Sequence, residues 1–240
     1  MCSSDLILLA REPQAVRDIA QLLVSGRVLL TGAVRFDGDI SEKRFYNSFF
    51  VFDAHAQRVA TYDKFHLVPF GEYLPLEKLL HALGIEQLTG GDTGYLSGPG
   101  PRTVAVPNAP DIGVLICYEV IFPNHVRGDP RPGWFANVTD DSWFGPAAGP
   151  AQHFLIARVR AIEEGVPIAR SANSGISGVI DSFGRVRQRL DLNTRGVIDT
   201  KLPVAIGPTL YVRFGDAVPT ILLLVLLVMG FAPVPLTRRG

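Results

Sequence analysis

The chain has 240 residues, with 23 Lys+Arg against 23 Asp+Glu and a formal net charge of zero. Balanced charge excludes a nucleic-acid binder that works through bulk electrostatics. With 47% hydrophobic residues and a mean hydropathy of +0.22, the chain is not intrinsically disordered. Two cysteines, Cys2 and Cys117, are too few for a disulfide framework.

Met1 to Leu6 has neither the basic n-region nor the apolar h-region of a secretory leader. It is also what a common sequencing-adapter DNA would encode, so residues 1–6 are expected to be non-native and Cys117 the native cysteine. Val16, Ile19, Leu22 and Leu23 recur at helical spacing and predict a helix over Pro13–Val24, stopped by Gly26. Arg27–Phe36 predicts a buried strand. Tyr46–Asp53 and Val59–Tyr62 predict a strand pair joined by the polar Ala54–Arg58. Tyr62–Pro75 carries Lys64 and Glu72 within aromatic and proline-rich sequence. It is too broken for a helix and too apolar for an ordinary surface loop, which suits a loop around a site or one dipping toward a membrane.

Leu88–Pro101 is glycine-rich and reads as a loop. Asp111–Cys117 and Trp134–Val138 predict short strands, Pro150–Glu164 an amphipathic helix closed by Gly165 and Pro167, and Ile168–Ser171 and Gly178–Asp181 further strands. Strands alternating with helices place the chain in the α/β or α+β class with a large sheet component. No charge falls between Val218 and Leu236, which predicts a transmembrane helix over 218–236. Arg238 and Arg239 put the tail at 237–240 in the cytoplasm and the preceding domain outside, although Arg213 opposes that orientation. The alternative is a buried core helix interrupted by Pro233 and Pro235.

Cys117 ends a buried strand and is followed by Tyr118 and Glu119. A lone cysteine in an apolar run is ordinarily core, but polarity beginning where a strand empties into a turn makes it a candidate nucleophile. Lys64 would ordinarily be a solvated side chain. Three more segments carry polar residues: Asn137–Gly145, Gln152–Glu164 and Arg170–Ser177. Within them Trp143 and Phe144 read equally as core aromatics, and His153 as a polar residue at a helix start. The five histidines lack metal-ligand spacing, so neither metal nor cofactor is expected.

In this order, Asp63–Glu72, Ile116–Glu119, Asp141–Gly145, Arg160–Glu163 and Asn173–Ser177 resemble the nitrilase (carbon–nitrogen hydrolase) superfamily, in the form of its apolipoprotein N-acyltransferase family. The resemblance runs over roughly residues 7–235. It implies a nitrilase-like four-layer α-β-β-α sandwich over 7–207 and a Glu-Lys-Cys triad. Cys117 would be the nucleophile and Lys64 the triad lysine. Glu72 and Glu119 would be further active-site acids, and Tyr118 and Trp143 aromatics near the acyl site. The implied reaction moves a fatty acyl chain from a membrane phospholipid donor to the α-amine of a diacylglyceryl-cysteine lipoprotein acceptor, through a thioester on Cys117. The implied location is the bacterial inner membrane, multi-pass in the parent, with the catalytic domain on the periplasmic face and no nucleic-acid partner.

The chemistry fits these residue types. A thiol with a pKa of about 8.5 needs a base or a nearby cation to become thiolate, and a lysine supplies that charge and stabilises the oxyanion. The resemblance also implies a base glutamate on a strand preceding the first helix, which would fall before residue 7. Glu12 occupies an ordinary first-turn position. The chain as given is therefore expected to be an inactive fragment. Asp140 stands where the resemblance implies Asn, placing a possible charge near the site. Two other readings stand beside this one: a soluble-type amidase hydrolysing a small amide or nitrile, and a membrane-tethered, non-enzymatic nitrilase-like module.

Overall fold

Leu29–Asp37 (β1), Arg44–Phe52 (β2) and Arg58–Asp63 (β3) form an antiparallel meander in a computed structural model. The structure describes residues 26–37, 44–76, 94–145 and 147–231, with isolated positions at 14, 18, 21 and 23. β1 and β2 pair from Leu29 opposite Phe52 to Asp37 opposite Arg44, and β3 continues the sheet with Phe49 opposite Tyr62. Phe49 and Val51 face one side of β2, while Phe50 and Phe52 face the other. Apolar residues on both faces explain why this strand reads as a continuous hydrophobic run.

The second sheet has the order β4 (Thr103–Val104), β5 (Ile112–Ile116), β6 (Trp134–Asp140), β7 (Ile168–Asn173), β8 (Ser177–Ile180) and β9 (Val186–Leu190). β5, β6 and β7 run parallel at its centre, flanked by antiparallel pairs. The two sheets pack face to face over a core that includes Phe49, Val51, Tyr62, Val114, Ile116, Trp134 and Ala136. The other face of the second sheet is covered by helix α1 (Gly149–Glu164), through Leu115, Phe135, Ile168 and Ile180 against Phe154, Ala157 and Ala161. Three layers, β-β-α, thus lie within the described residues. On the outer face of the first sheet, Leu23 packs with Ala33, Phe50, Phe52 and Ala56. Gln14, Asp18 and Gln21 are helical and exposed, with Gln14 Nε2 donating to Asp18 Oδ1 at 2.8 Å.

The predicted strands and the Pro150–Glu164 helix all occur, shifted at their ends by one or two residues. The expected transmembrane helix over 218–236 needs correction. After a short helix α2 (Leu210–Phe214), whose Thr209 Oγ1 caps it by accepting from the Val212 N–H, the final helix α3 is described over Ala217–Phe231. Its 15 residues rise about 22 Å, against a hydrocarbon core of about 30 Å. Among the described residues no helix is long and apolar enough to cross a membrane. Residues 232–236 lie outside the described residues, as do the Met1–Leu6 segment, Glu12 and the region before residue 7.

Candidate active site

Lys64 follows β3 directly, and the sheet ladder continues into it through Lys64 N–H donating to Asn47 O at 2.8 Å. Its neighbour Asp63 is clamped by Arg35, whose Nε and Nη2 donate to the two carboxylate oxygens at 3.0 and 2.8 Å. Bidentate pairing of this kind fixes geometry as well as charge. Lys64 is fully buried, and its ammonium donates to Glu72 Oε1 and Oε2 at 2.9 and 2.8 Å. Glu72 also accepts from Asn47 Nδ2 at 3.0 Å and from the Val68 N–H at 2.7 Å. The loop between Lys64 and Glu72 therefore closes on itself through a buried, hydrogen-bonded ion pair. Residues 94–98 run along it: Tyr95 N–H donates to Glu72 O, and Gly98 N–H to Lys64 O. A Cβ on Gly98 would stand 2.1 Å from Asp63 O, so only glycine permits this approach.

Cys117 opens a 3₁₀ turn (Cys117–Ile121) at the end of β5 and has φ of 49°. A left-handed conformation is disfavoured for a side-chain-bearing residue, and such strain gathers at functional sites. Glu119, two residues on, is buried and turned inward. Its Oε1 accepts from Tyr62 OH at 2.7 Å and Phe65 N–H at 2.8 Å, and its Oε2 accepts from Ile116 N–H at 2.8 Å. The carboxyl thus ties the Lys64 loop to the turn carrying Cys117. Burial pushes the Glu119 pKa up, against the downward pull of these donors and of Lys64.

A second polar network stands on the α1 side of Cys117. His153 Nε2 lies 3.2 Å from Cys117 O, and Nδ1 lies 2.8 Å from Asp141 Oδ1 and 3.1 Å from Arg170 Nη2. Arg170 Nη2 donates to Asp141 Oδ2 at 2.7 Å, and Thr139 Oγ1 to Asp141 Oδ1 at 3.0 Å. Burial raises the Asp141 pKa, but the His153 hydrogen bond and the Arg170 charge outweigh it and hold the carboxyl below its ordinary value. A Cβ on Gly175 would stand 2.4 Å from Asp141 Oδ2, so the polar turn after β7 makes room for this carboxylate.

A cavity of about 360 Å³ opens over Cys117, with Glu72, Tyr118 and Trp143 in its wall beside the apolar Val68, Ile121, Phe144 and Ile156. Of the residues singled out in the sequence, the structure brings Cys117, Glu72, Tyr118 and Trp143 to this cavity. Lys64 contacts Glu72 but does not line it, and neither does Glu119. Asp140, which does line it, spends one carboxylate oxygen on the Ser142 N–H at 2.9 Å. The sequence reading passed over Asn47, gave Asp141 and Arg170 no role of their own within the polar segments Asn137–Gly145 and Arg170–Ser177, and took His153 as a helix-start residue. For Asn47 a signal existed: with Ser48, it interrupts an otherwise apolar strand. Among the described residues no group of three or more His, Cys, Asp or Glu is placed to hold a metal ion.

A buried Lys–Glu pair, a cysteine on a strained turn at a strand end, and two face-packed sheets define a carbon–nitrogen hydrolase. The chain belongs to that family, whose model matches residues 14–209. It is 46% identical over 225 residues to an apolipoprotein N-acyltransferase of Rhodopseudomonas palustris, and 49% identical over 226 residues to one of Bradyrhizobium diazoefficiens. Each match covers 92% of this chain and 42% of the relative, so the chain spans less than half the length of these curated relatives. Among solved structures, an amidase from Nesterenkonia sp. superposes with a TM-score of 0.56 at 17% identity, covering 89% of this chain and 74% of that one. A carbon–nitrogen hydrolase from Helicobacter pylori gives 0.58 at 13% identity over 76% and 65%. At these identities the two structures establish the fold.

Proposed function

We propose that the site transfers a fatty acyl chain from a membrane phospholipid to the N-terminal α-amine of a diacylglyceryl-cysteine lipoprotein, through a thioester on Cys117. The observation that carries this reading is the composition of the cavity: a cysteine and the Glu72 carboxylate, itself paired to the buried Lys64, in a mostly apolar wall with exposed aromatics at its rim. Trp143 is 52% exposed and Phe144 45%, and Phe70 is exposed on the loop leading to Glu72. A small amide needs no such rim, whereas an acyl chain arriving from a bilayer does.

In this reading Cys117 attacks the phospholipid ester carbonyl. The thiol proton passes by way of a carboxylate base to the departing lysophospholipid alcohol. Lys64, held by Glu72, supplies positive charge to the thiolate and to the oxyanion. Glu119 keeps the Lys64 loop and the nucleophile turn in register, and Tyr118 and Trp143 flank the acyl chain. The α-amine then attacks the thioester carbonyl, the C–S bond breaks, the proton lost by the amine returns to the Cys117 sulfur, and the acyl chain departs as an amide, provided water is kept out. The exposed apolar surface of α3 continues the same logic, as a surface that rests against the membrane, and the domain over 7–207 sits on the periplasmic face of the inner membrane.

The test is to supply a phospholipid with a radiolabelled acyl chain to the protein product of the complete reading frame. Label on Cys117, released by hydroxylamine and lost in Cys117→Ala, supports the proposal. Absence of label, together with turnover of short amides that requires Cys117, sinks it in favour of the amidase reading. Charged replacements at Phe70 and Leu74 should raise hydrolysis of the thioester relative to transfer.

A further inference from the structure

The Lys64–Glu72 pair and Glu119 account for one side of the Cys117 turn. They leave the second buried polar network unexplained. His153, Asp141 and Arg170 are each almost completely buried, although they come from α1, the residue after β6, and β7. Burying three ionisable groups together is unfavourable unless their geometry is well satisfied. Here it is satisfied in one direction: Arg170 and Thr139 hold Asp141, Asp141 holds His153 Nδ1, and His153 Nε2 reaches the backbone carbonyl of Cys117. The Phe144 ring packs edge-on against the imidazole at 5.5 Å, which fixes its plane. The chain of contacts ends on the residue whose backbone is in the left-handed region.

We propose that His153 is a positioning residue for the nucleophile: by donating from Nε2 to the Cys117 carbonyl, it keeps Cys117 in its left-handed conformation and presents the thiol to the cavity. An L-residue left to itself relaxes out of that region. Cys117 is gripped on both sides, by Glu119 Oε2 on the Ile116 N–H before it and by His153 on its own carbonyl. The inference rests on Cys117 being the reactive residue of the site, but it does not depend on the identity of the acyl donor.

Two amide substitutions separate the contacts of the imidazole. In His153→Gln the side-chain nitrogen takes the place of Nε2 and keeps the Cys117 contact. In His153→Asn it takes the place of Nδ1, keeping the Asp141 contact and losing the one to Cys117. The full chain is treated with iodoacetamide, and modification of the Cys117 peptide is followed by mass spectrometry, with thermal midpoints measured alongside. Loss of one hydrogen bond on a strained residue should slow His153→Asn by about fivefold or more, with His153→Gln within about twofold of the parent. Equal rates in the two variants, whether both parental or both slowed, overturn the assignment, because a packing role does not distinguish them. In the unsubstituted chain, ¹⁵N-histidine spectra should show a slowly exchanging hydrogen on His153 Nε2. A bare Nε2 overturns the proposal without any variant needing to fold. Iodoacetamide requires no acyl donor, so failure of acyl labelling leaves this result standing.

Discussion

Replacing Lys64 with methionine removes the ammonium but keeps the length of the side chain, so the perturbation isolates the charge. Glu72 then loses the two hydrogen bonds from Lys64 Nζ, at 2.9 and 2.8 Å, and keeps those from Asn47 Nδ2 and the Val68 N–H. Both partners are buried, so water cannot replace the ammonium without opening the loop. Breaking a buried pair on one side costs about 3–5 kcal/mol, against about 0–1 for a surface pair. For a chain of this size that is a fall of roughly 6–20 °C in Tm. The assay is urea unfolding at pH 7 of the parent, Lys64→Met, Glu72→Gln and the double variant. The double variant should be more stable than the summed single losses imply, by about 0.5–3 kcal/mol of coupling. A Lys64→Met loss below about 1 kcal/mol, or strict additivity, would show that the pair behaves as a surface contact and would refute the picture of a loop closed by a buried charge.

Asp141 has a folded pKa below its ordinary value, so it contributes stability that is present above about pH 4 and lost as pH falls through the lowered folded pKa. Asp141→Asn should therefore destabilise the chain at pH 7 and flatten its acid limb; an unchanged slope below pH 4 in a denaturant series would refute this. Gly98→Ala places a Cβ 2.1 Å from Asp63 O, whereas Gly207→Ala meets nothing within 4 Å. The first should cost about 2 kcal/mol or more and the second stay within about 0.5, and equal urea midpoints would count against the close approach. Leu224→Lys places a charge at the middle of α3. It should weaken binding of the chain to phospholipid vesicles, since a lysine on an apolar face opposes burial of that face in the bilayer interface, and unchanged binding would remove α3 from the membrane surface.

The parts of the fold legible in the sequence are those buried on two faces. β2, β5 and β6 show as apolar runs because one face meets the other sheet and the opposite face meets a further layer. β9 was not foreseen because Val186–Leu190 is mostly exposed, and its arginines erase the apolar signal. β4 has only two residues, too few to carry a period. The same logic divides the site. Cys117, Lys64 and Glu72 stand in or beside local runs whose polarity changes abruptly, so the sequence marks them. Asp141, His153 and Arg170 are separated along the chain and meet only because β6 and β7 are adjacent and parallel under α1. Each alone reads as an ordinary surface polar residue. The apolar C-terminal run was legible as a helix because it carries no charge over Ala217–Phe231.

Three buried polar arrangements converge on one turn, and their cost indicates what they are for. Lys64–Glu72 fastens the loop after β3, Glu119 fastens that loop to the start of the turn, and Asp141–Arg170 fastens the histidine that holds its carbonyl. Well-packed hydrophobic residues in these positions would stabilise the fold equally well or better. What they would not do is hold a single cysteine in a disfavoured backbone conformation, since apolar contacts are not directional. The nucleophile proposed for Cys117 would need that direction more than stability, because displacement of a reacting atom by about 1 Å is enough to lose much of the rate. The apolar bulk of the two sheets meets the stability requirement and leaves the polar core free to set geometry.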